Sequence, residues 1–371
     1  MNEAWEEPEK PYIQRVFKAL EAASVEFPKK QIVSRDLSSN SAIKALLEVD
    51  EKNSDPILLK LAQLLTDLIS TINKLRKHQG YSITDFVRRR LISYQVSRLV
   101  GSIEDVIGSW VDREVVLHLT QTIEQSDSET AKLEALNYFE KRVSRGFNRE
   151  LQDLILRSKI FHMLEDLLSD TNSETRVREQ SGAAIAAVVE FNRDVFVGLA
   201  LMGPTATTLV SISSPKSIQT LSKLIRLIKS PLVDELESRD EIPKIISLFL
   251  RPPNASTRLT AFECVLEIAY FARKEVIDSM LEMGVVEKLV ELQRTEWSPE
   301  AENIVLGKDE DEEVFERCVA RFAVQLEVGE RLGRKERREL KVEIMRRVRE
   351  SSVTEAEAAT ILAEVLWGSS P

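Results

Sequence analysis

The chain has 371 residues, with 61 acidic and 51 basic side chains and a formal net charge of −10 at neutral pH. That balance disfavours nucleic acid as the main partner, because affinity for phosphate backbones comes from clustered Lys and Arg that release counterions. Only 12 Gly, 12 Pro and 6% aromatics accompany an apolar set of chiefly Leu, Ile, Val and Ala, and no window alternates like a half-buried strand, so the inventory is all-α.

No apolar run reaches about 18 residues, and the start (MNEAWEEPEK) is acidic, so neither a membrane-spanning helix nor a signal peptide is read. The expected setting is cytoplasmic, with the nucleus left open. Residues 11–23 read as a short amphipathic helix followed by a Pro- and Ser-bearing loop. From Asp55 and Pro56, Ile57, Leu58, Leu61, Leu64, Leu65, Leu68, Ile69, Ile72 and Leu75 recur at helical spacing, predicting a long wide-striped helix. Residues 83–107 supply an antiparallel partner, which makes 1–110 an N-terminal helical bundle expected to cover the open end of a helical stack.

Beyond it, one apolar cadence returns with zero points at Ser158, Gly203, Asp240 and Gly284, at intervals of 45, 37 and 44 residues. Helical solenoid repeats of the armadillo and HEAT kind have this period. Apolar residues fall at +2, +5, +6, +8 and +9, as in Ile242, Ile245, Ile246, Leu248 and Phe249. The Gly203 copy is degenerate, with Thr205, Thr208 and Ser211 at such positions, and a weaker fifth copy starts near Val111. A polar break and a longer helix come after each copy; Thr171 to Glu174 fits a capping box, Asn254 an N-cap, and Ser298 with Pro299 a helix start. Residues 111–325 are therefore read as repeats carrying an acidic loop at 298–313, and 326–371 as a C-terminal basic helix and capping helix. The full expectation is an all-α, right-handed α-solenoid.

DEIPKIISLFL (240–250) and MGVVEKLVELQ (283–293) resemble the second helix of the armadillo repeat, and TRLTAFECVLEIAYF (257–271) and TRVREQSGAAIAAVVEF (175–191) its groove-lining third helix. The chain is similar to soluble plant armadillo-repeat proteins that lack a U-box, and it contains none. This resemblance implies a non-catalytic scaffold or adaptor that binds a protein partner in the concave groove. It also implies two alternatives: a nucleotide-exchange factor for a heat-shock chaperone, or a substrate adaptor in a ubiquitin pathway.

Armadillo importins clamp peptides with a Trp and, four residues on, an Asn of the third helix. The matching positions here are Glu134 and Tyr138, Ala183 and Ala187, Ser222 and Arg226, Glu263 and Glu267, and Arg317 and Arg321. None is Trp or Asn, and Trp5, Trp110, Trp297 and Trp367 follow no repeat spacing, which rules against import-cargo recognition. The groove instead carries Glu263 and Glu267 between Arg226 and the pair Arg317 and Arg321, with Tyr138 at its start. Residues four apart share a helical face, so a partner of complementary charge is expected to read this order. The plainer alternative is a set of solvated groove charges.

Cys264 and Cys318 suit buried reduced thiols better than a disulfide. Asp309 to Glu313 are five consecutive carboxylates without the spacing or Gly of a calcium loop, so no metal is expected. Residues 331–349 hold nine Lys or Arg against three Glu, with Leu332, Leu340, Ile344 and Val348 as an apolar stripe expected to dock on the last repeat. The closing helix is expected to have Thr354 and Glu357 as a capping box, with Ile361, Leu362, Val365 and Leu366 buried. His78, His118 and His162 stand apart from any nucleophile, and no phosphate-cradling Gly loop occurs, so neither catalysis nor a cofactor is expected.

Overall fold

The computed structural model describes residues 56–77, 83–296 and 315–367. The expected helix at 11–23, Trp5, His78, Trp297, the Ser298 and Pro299 start and the acidic run Asp309 to Glu313 lie outside them. The described residues form seventeen helices and no strand. The chain divides into two units, Met1–His118 with Asn148–Leu154, and Leu119–Phe147 with Ile155–Pro371.

In the first unit α1 (Pro56–Lys77) packs along α2 (Ile83–Gln125). Leu61, Leu65 and Leu68 of α1 meet Val96, Val100, Ile103, Val106, Ile107 and Trp110 of α2, all buried. At roughly 1.5–3 kcal/mol for each large apolar side chain taken out of water, this stripe holds the pair together. The boundary expected between 110 and 111 falls inside α2, an uninterrupted helix of 43 residues. Gly108 is the only helix-weakening residue beside that point, and one interior Gly costs about 1 kcal/mol without stopping a helix.

The second unit continues with α3 (Glu129–Val143), α4 (Arg149–Arg157, which straddles the division), α5 (Ile160–Ser169) and α6 (Thr175–Phe191). Three triplets come next: α7 (Arg193–Met202), α8 (Thr205–Ile212) and α9 (Pro215–Ile228); α10 (Ser230–Ser238), α11 (Ile242–Leu250) and α12 (Ala255–Phe271); α13 (Lys274–Glu282), α14 (Val285–Glu296) and α15 (Cys318–Val328). Helices α3, α6, α9, α12 and α15 pack against one another in chain order, and α5, α8, α11 and α14 each pack on the next long helix. Phe139, Phe196, Phe249, Phe262 and Phe322 are fully buried along this row.

The phase of the cadence has a backbone origin. Lys159, Asp240 and Gly284, at or next to three zero points, adopt left-handed φ values of 51°, 57° and 88°. Each lies just past the end of a short first helix; at Asp240, the Glu241 N–H bonds Leu236 O and the Asp240 N–H bonds Glu237 O, the double closure of a Schellman turn. The Gly203 copy turns differently, with an extended backbone at φ −80°, ψ 178°.

Asn254 caps α12 as expected, its Oδ1 accepting from Thr257 N at 2.7 Å. The Thr171 to Glu174 box does not form: α6 starts at Thr175 with Glu174 as an N-cap that makes no side-chain bond, and in the turn before it Asp170 accepts from Asn172 N and Ser173 Oγ. A further capping box, which the sequence pattern does not suggest, joins Ser214 and Ser217.

Helices α16 (Arg334–Ser351) and α17 (Glu355–Trp367) complete the unit. The stripe Leu332, Leu340, Ile344 and Val348 is buried, and α16 lies on α13, α14 and α15. In α17 Ile361 and Val365 are buried, but Leu366 is 54% exposed, because its neighbours α15 and α16 cover only one side of the helix. Thr354 Oγ1 accepts from Glu357 N, while Glu357 reaches past the cap to Val353 N and Arg294 Nε.

Candidate functional site

The long helices α3, α6, α9, α12 and α15 stack in chain order. Tyr138 of α3 is partly exposed. The remaining predicted charges lie farther along, and they meet each other. Arg226 of α9 lies 3.6 Å from Glu267 of α12, and Arg321 of α15 donates to Glu263 of α12 at 2.7 Å. The Arg321 guanidinium also stands 5.1 Å from the Phe262 ring centroid, a cation–π contact. The charge order expected to be read by a partner is thus matched within the chain, across adjacent helices.

Arg317 departs from the expectation. It precedes α15 as its N-cap at φ 54° instead of occupying a helical turn with Arg321, since residues 315–317 form the turn that leads into α15. Its side chain lies 3.8 Å from Glu364 of α17, so it leaves the Glu263 and Glu267 pair to Arg226 and Arg321. Ala187 and Ser222, at two other aligned positions, are buried.

The matched pairs remain accessible: Arg226 keeps 57% of its side-chain surface, Glu263 46% and Glu267 24%. Burial pushes the Glu267 carboxyl above the ordinary Glu range, Arg226 opposes this, and the neighbouring Glu263 adds to it. Glu267 therefore carries a charge that its surroundings only partly compensate. Beneath it, burial pushes the Cys264 thiol up to about 12, and both cysteines are buried outside any disulfide, as expected.

A second ladder lies outside the predicted positions. Gln180 of α6 donates to Glu140 of α3, and Lys216 of α9 donates to Gln180 at 2.8 Å, while Lys223 of α9 pairs with Glu190 of α6 at 2.7 Å. Separations of 40 and 36 residues match the repeat interval, so the signal for it in the sequence is polar residues recurring at that interval.

Among the described residues no three or more His, Cys, Asp or Glu gather where they could hold a metal ion. No single described helix is long and apolar enough to cross a membrane. No family model matches the chain, and no curated protein matches it. Among solved structures it is similar to the crystal structure of an engineered protein, at 15% identity and a TM-score of 0.45, over 69% of this chain and 95% of that one.

Proposed function

We propose that the second unit is a right-handed armadillo-type solenoid and that the protein is a non-catalytic scaffold, binding a protein partner along the strip formed by its long third helices. The observation that carries this proposal is the packing of α3, α6, α9, α12 and α15 in chain order, with α6, α9, α12 and α15 each backed by the short helix before it. A stack of repeats that contact only their neighbours presents an extended surface, and extended surfaces suit macromolecular ligands.

Within that strip the binding locus is Arg226, Glu263, Glu267 and Arg321, with Tyr138 at the far end; Arg317, turned toward Glu364, is left out of it. Exposed ion pairs contribute about 0–1 kcal/mol each, so a partner that supplies its own charges can take over Glu263 and Glu267 at small cost. Electrostatic matching of this kind governs specificity and association rate more than raw affinity.

The test is affinity purification of the wild type beside a Glu263→Lys, Glu267→Lys variant, with circular dichroism as the folding control. Loss of a partner by a variant that retains its helicity supports the groove as the binding surface. Retention of every partner would put the interface elsewhere.

A further inference from the structure

Between α15 and α16 lies a cavity of about 230 Å³ whose walls carry four cations: Arg334, Arg337, Arg338 and Lys341. Their spacing of i, i+3, i+4 and i+7 aligns them on one face of α16. Ala323, Leu326 and Ile344, all buried, make its apolar floor. Glu327 is the only carboxylate in the lining; it is 60% exposed and already pairs with Lys341 at 3.1 Å.

The other carboxylates of α16 are committed elsewhere. Glu336 caps Gly333 N at 2.7 Å, Glu339 pairs with Lys274 at 3.3 Å, and Glu343 receives Arg346 and Arg347. Arg334 and Arg338 have no ion-pair partner among the described residues. Arg337 donates from Nη2 to Gly329 O at 2.6 Å, yet its Nε is buried with no acceptor. A buried guanidinium N–H without an acceptor costs free energy, and crowded like charges repel one another. A multivalent oxyanion in the cavity relieves the repulsion among the exposed cations.

We infer that this cavity binds a phosphorylated residue of a peptide segment, with the phosphate on Arg334, Arg337 and Arg338 and a neighbouring apolar side chain on the Ala323, Leu326 and Ile344 floor. A phosphate dianion offers three acceptor oxygens to planar guanidinium forks, which a single carboxylate cannot match. The net charge of −10 repels extended anionic surfaces such as membranes or nucleic acid, whereas one phosphate group reaches only the local cations. This inference rests on the scaffold role proposed above, but at a surface separate from the Glu263 and Glu267 strip.

The test uses the full chain and fluorescence anisotropy with two fluorescein-labelled degenerate peptide pools, identical except that one carries a central phosphoserine and the other serine. The phosphoserine pool is expected to bind about tenfold or more tightly than the serine pool. Inorganic phosphate should compete, and Arg334→Glu with Arg338→Glu should abolish the difference. The milder Arg338→Gln should weaken it without change in the unfolding midpoint, and Glu263→Lys with Glu267→Lys should leave it intact, so that failure here and failure of the groove are told apart. Equal binding of the two pools, a preference untouched by the arginine variants, or binding confined to vesicles containing phosphatidylinositol phosphate would overturn the inference.

Discussion

The carboxylate of Glu165 fills the space beside Gly203: a Cβ built on Gly203 would stand 1.9 Å from Glu165 Oε1. Glu165 is buried and accepts from Thr205 Oγ1 at 2.7 Å. One acidic residue in α5 thus explains both the glycine and the polar Thr205 that make the next copy of the cadence look degenerate. Thr205→Val should leave Glu165 Oε1 without its donor and destabilise by about 1–3 kcal/mol, while Glu165→Leu with Thr205→Val should recover most of that loss. Urea unfolding of the two variants measures it; equal stabilities would show that the bond contributes nothing.

Gly203→Ala should destabilise for a separate reason, since the added methyl displaces a carboxylate whose position Thr205 fixes. Gly198, where an added Cβ meets nothing within 4 Å, is the control: Gly198→Ala in the helix interior should stabilise by about 0.5–1 kcal/mol. Opposite signs of the two midpoint shifts are the expected outcome.

Hydrogen bonding from Arg346 holds the Glu343 carboxyl down at about 2; burial opposes this and Arg347 adds to it. A depressed carboxyl pKa contributes stability that is present above the unfolded value of about 4.3 and is lost as pH falls toward 2. Glu343→Gln should therefore lower the melting midpoint at pH 7 and cease to differ from the wild type near pH 2. Glu267 has the opposite sign, because burial raises its pKa and protonation relieves that cost. Glu267→Gln should leave the midpoint at pH 7 unchanged or slightly higher, within about 0.5 kcal/mol. A Glu267→Gln variant clearly less stable than Glu343→Gln would contradict this assignment.

Thiol chemistry offers an independent check on the row of long helices. Cys264 is buried with its thiol pushed up to about 12, and Cys318 is buried with Sγ 3.2 Å from Leu289 O. Neither should react with a disulfide reagent at pH 8 in the native state, and both should react once the chain is unfolded. Rapid native labelling of either would mean that α12 or α15 is not packed as described.

The sequence revealed α1, the phase of the cadence and the buried stripe of α16, because each rests on apolar periodicity within one helix. It also picked out Arg226, Glu263, Glu267 and Arg321 as charges on the long helices. It did not reveal that these pair across helices, because such pairing depends on the stacking register of segments far apart in the chain; Glu263 and Arg321 are 58 residues apart. Arg317 was misplaced because helical spacing says nothing of the left-handed turn that ends at it. Likewise Thr171 to Glu174 satisfied a capping pattern, but α6 starts only at Thr175 with Glu174 as its N-cap, so Thr171 lies three residues ahead of the helix start. The arginines of the α15 and α16 cavity were visible as a basic run, whereas the cavity exists only once α16 docks.

If the strip through Glu263 and Glu267 binds a protein partner, titration calorimetry of a recovered partner against the wild type and against Glu263→Lys, Glu267→Lys gives two different Kd values. A loss of about tenfold or more, roughly 1.4 kcal/mol, with unchanged helicity is the predicted result. Equal affinity of the two proteins would contradict it.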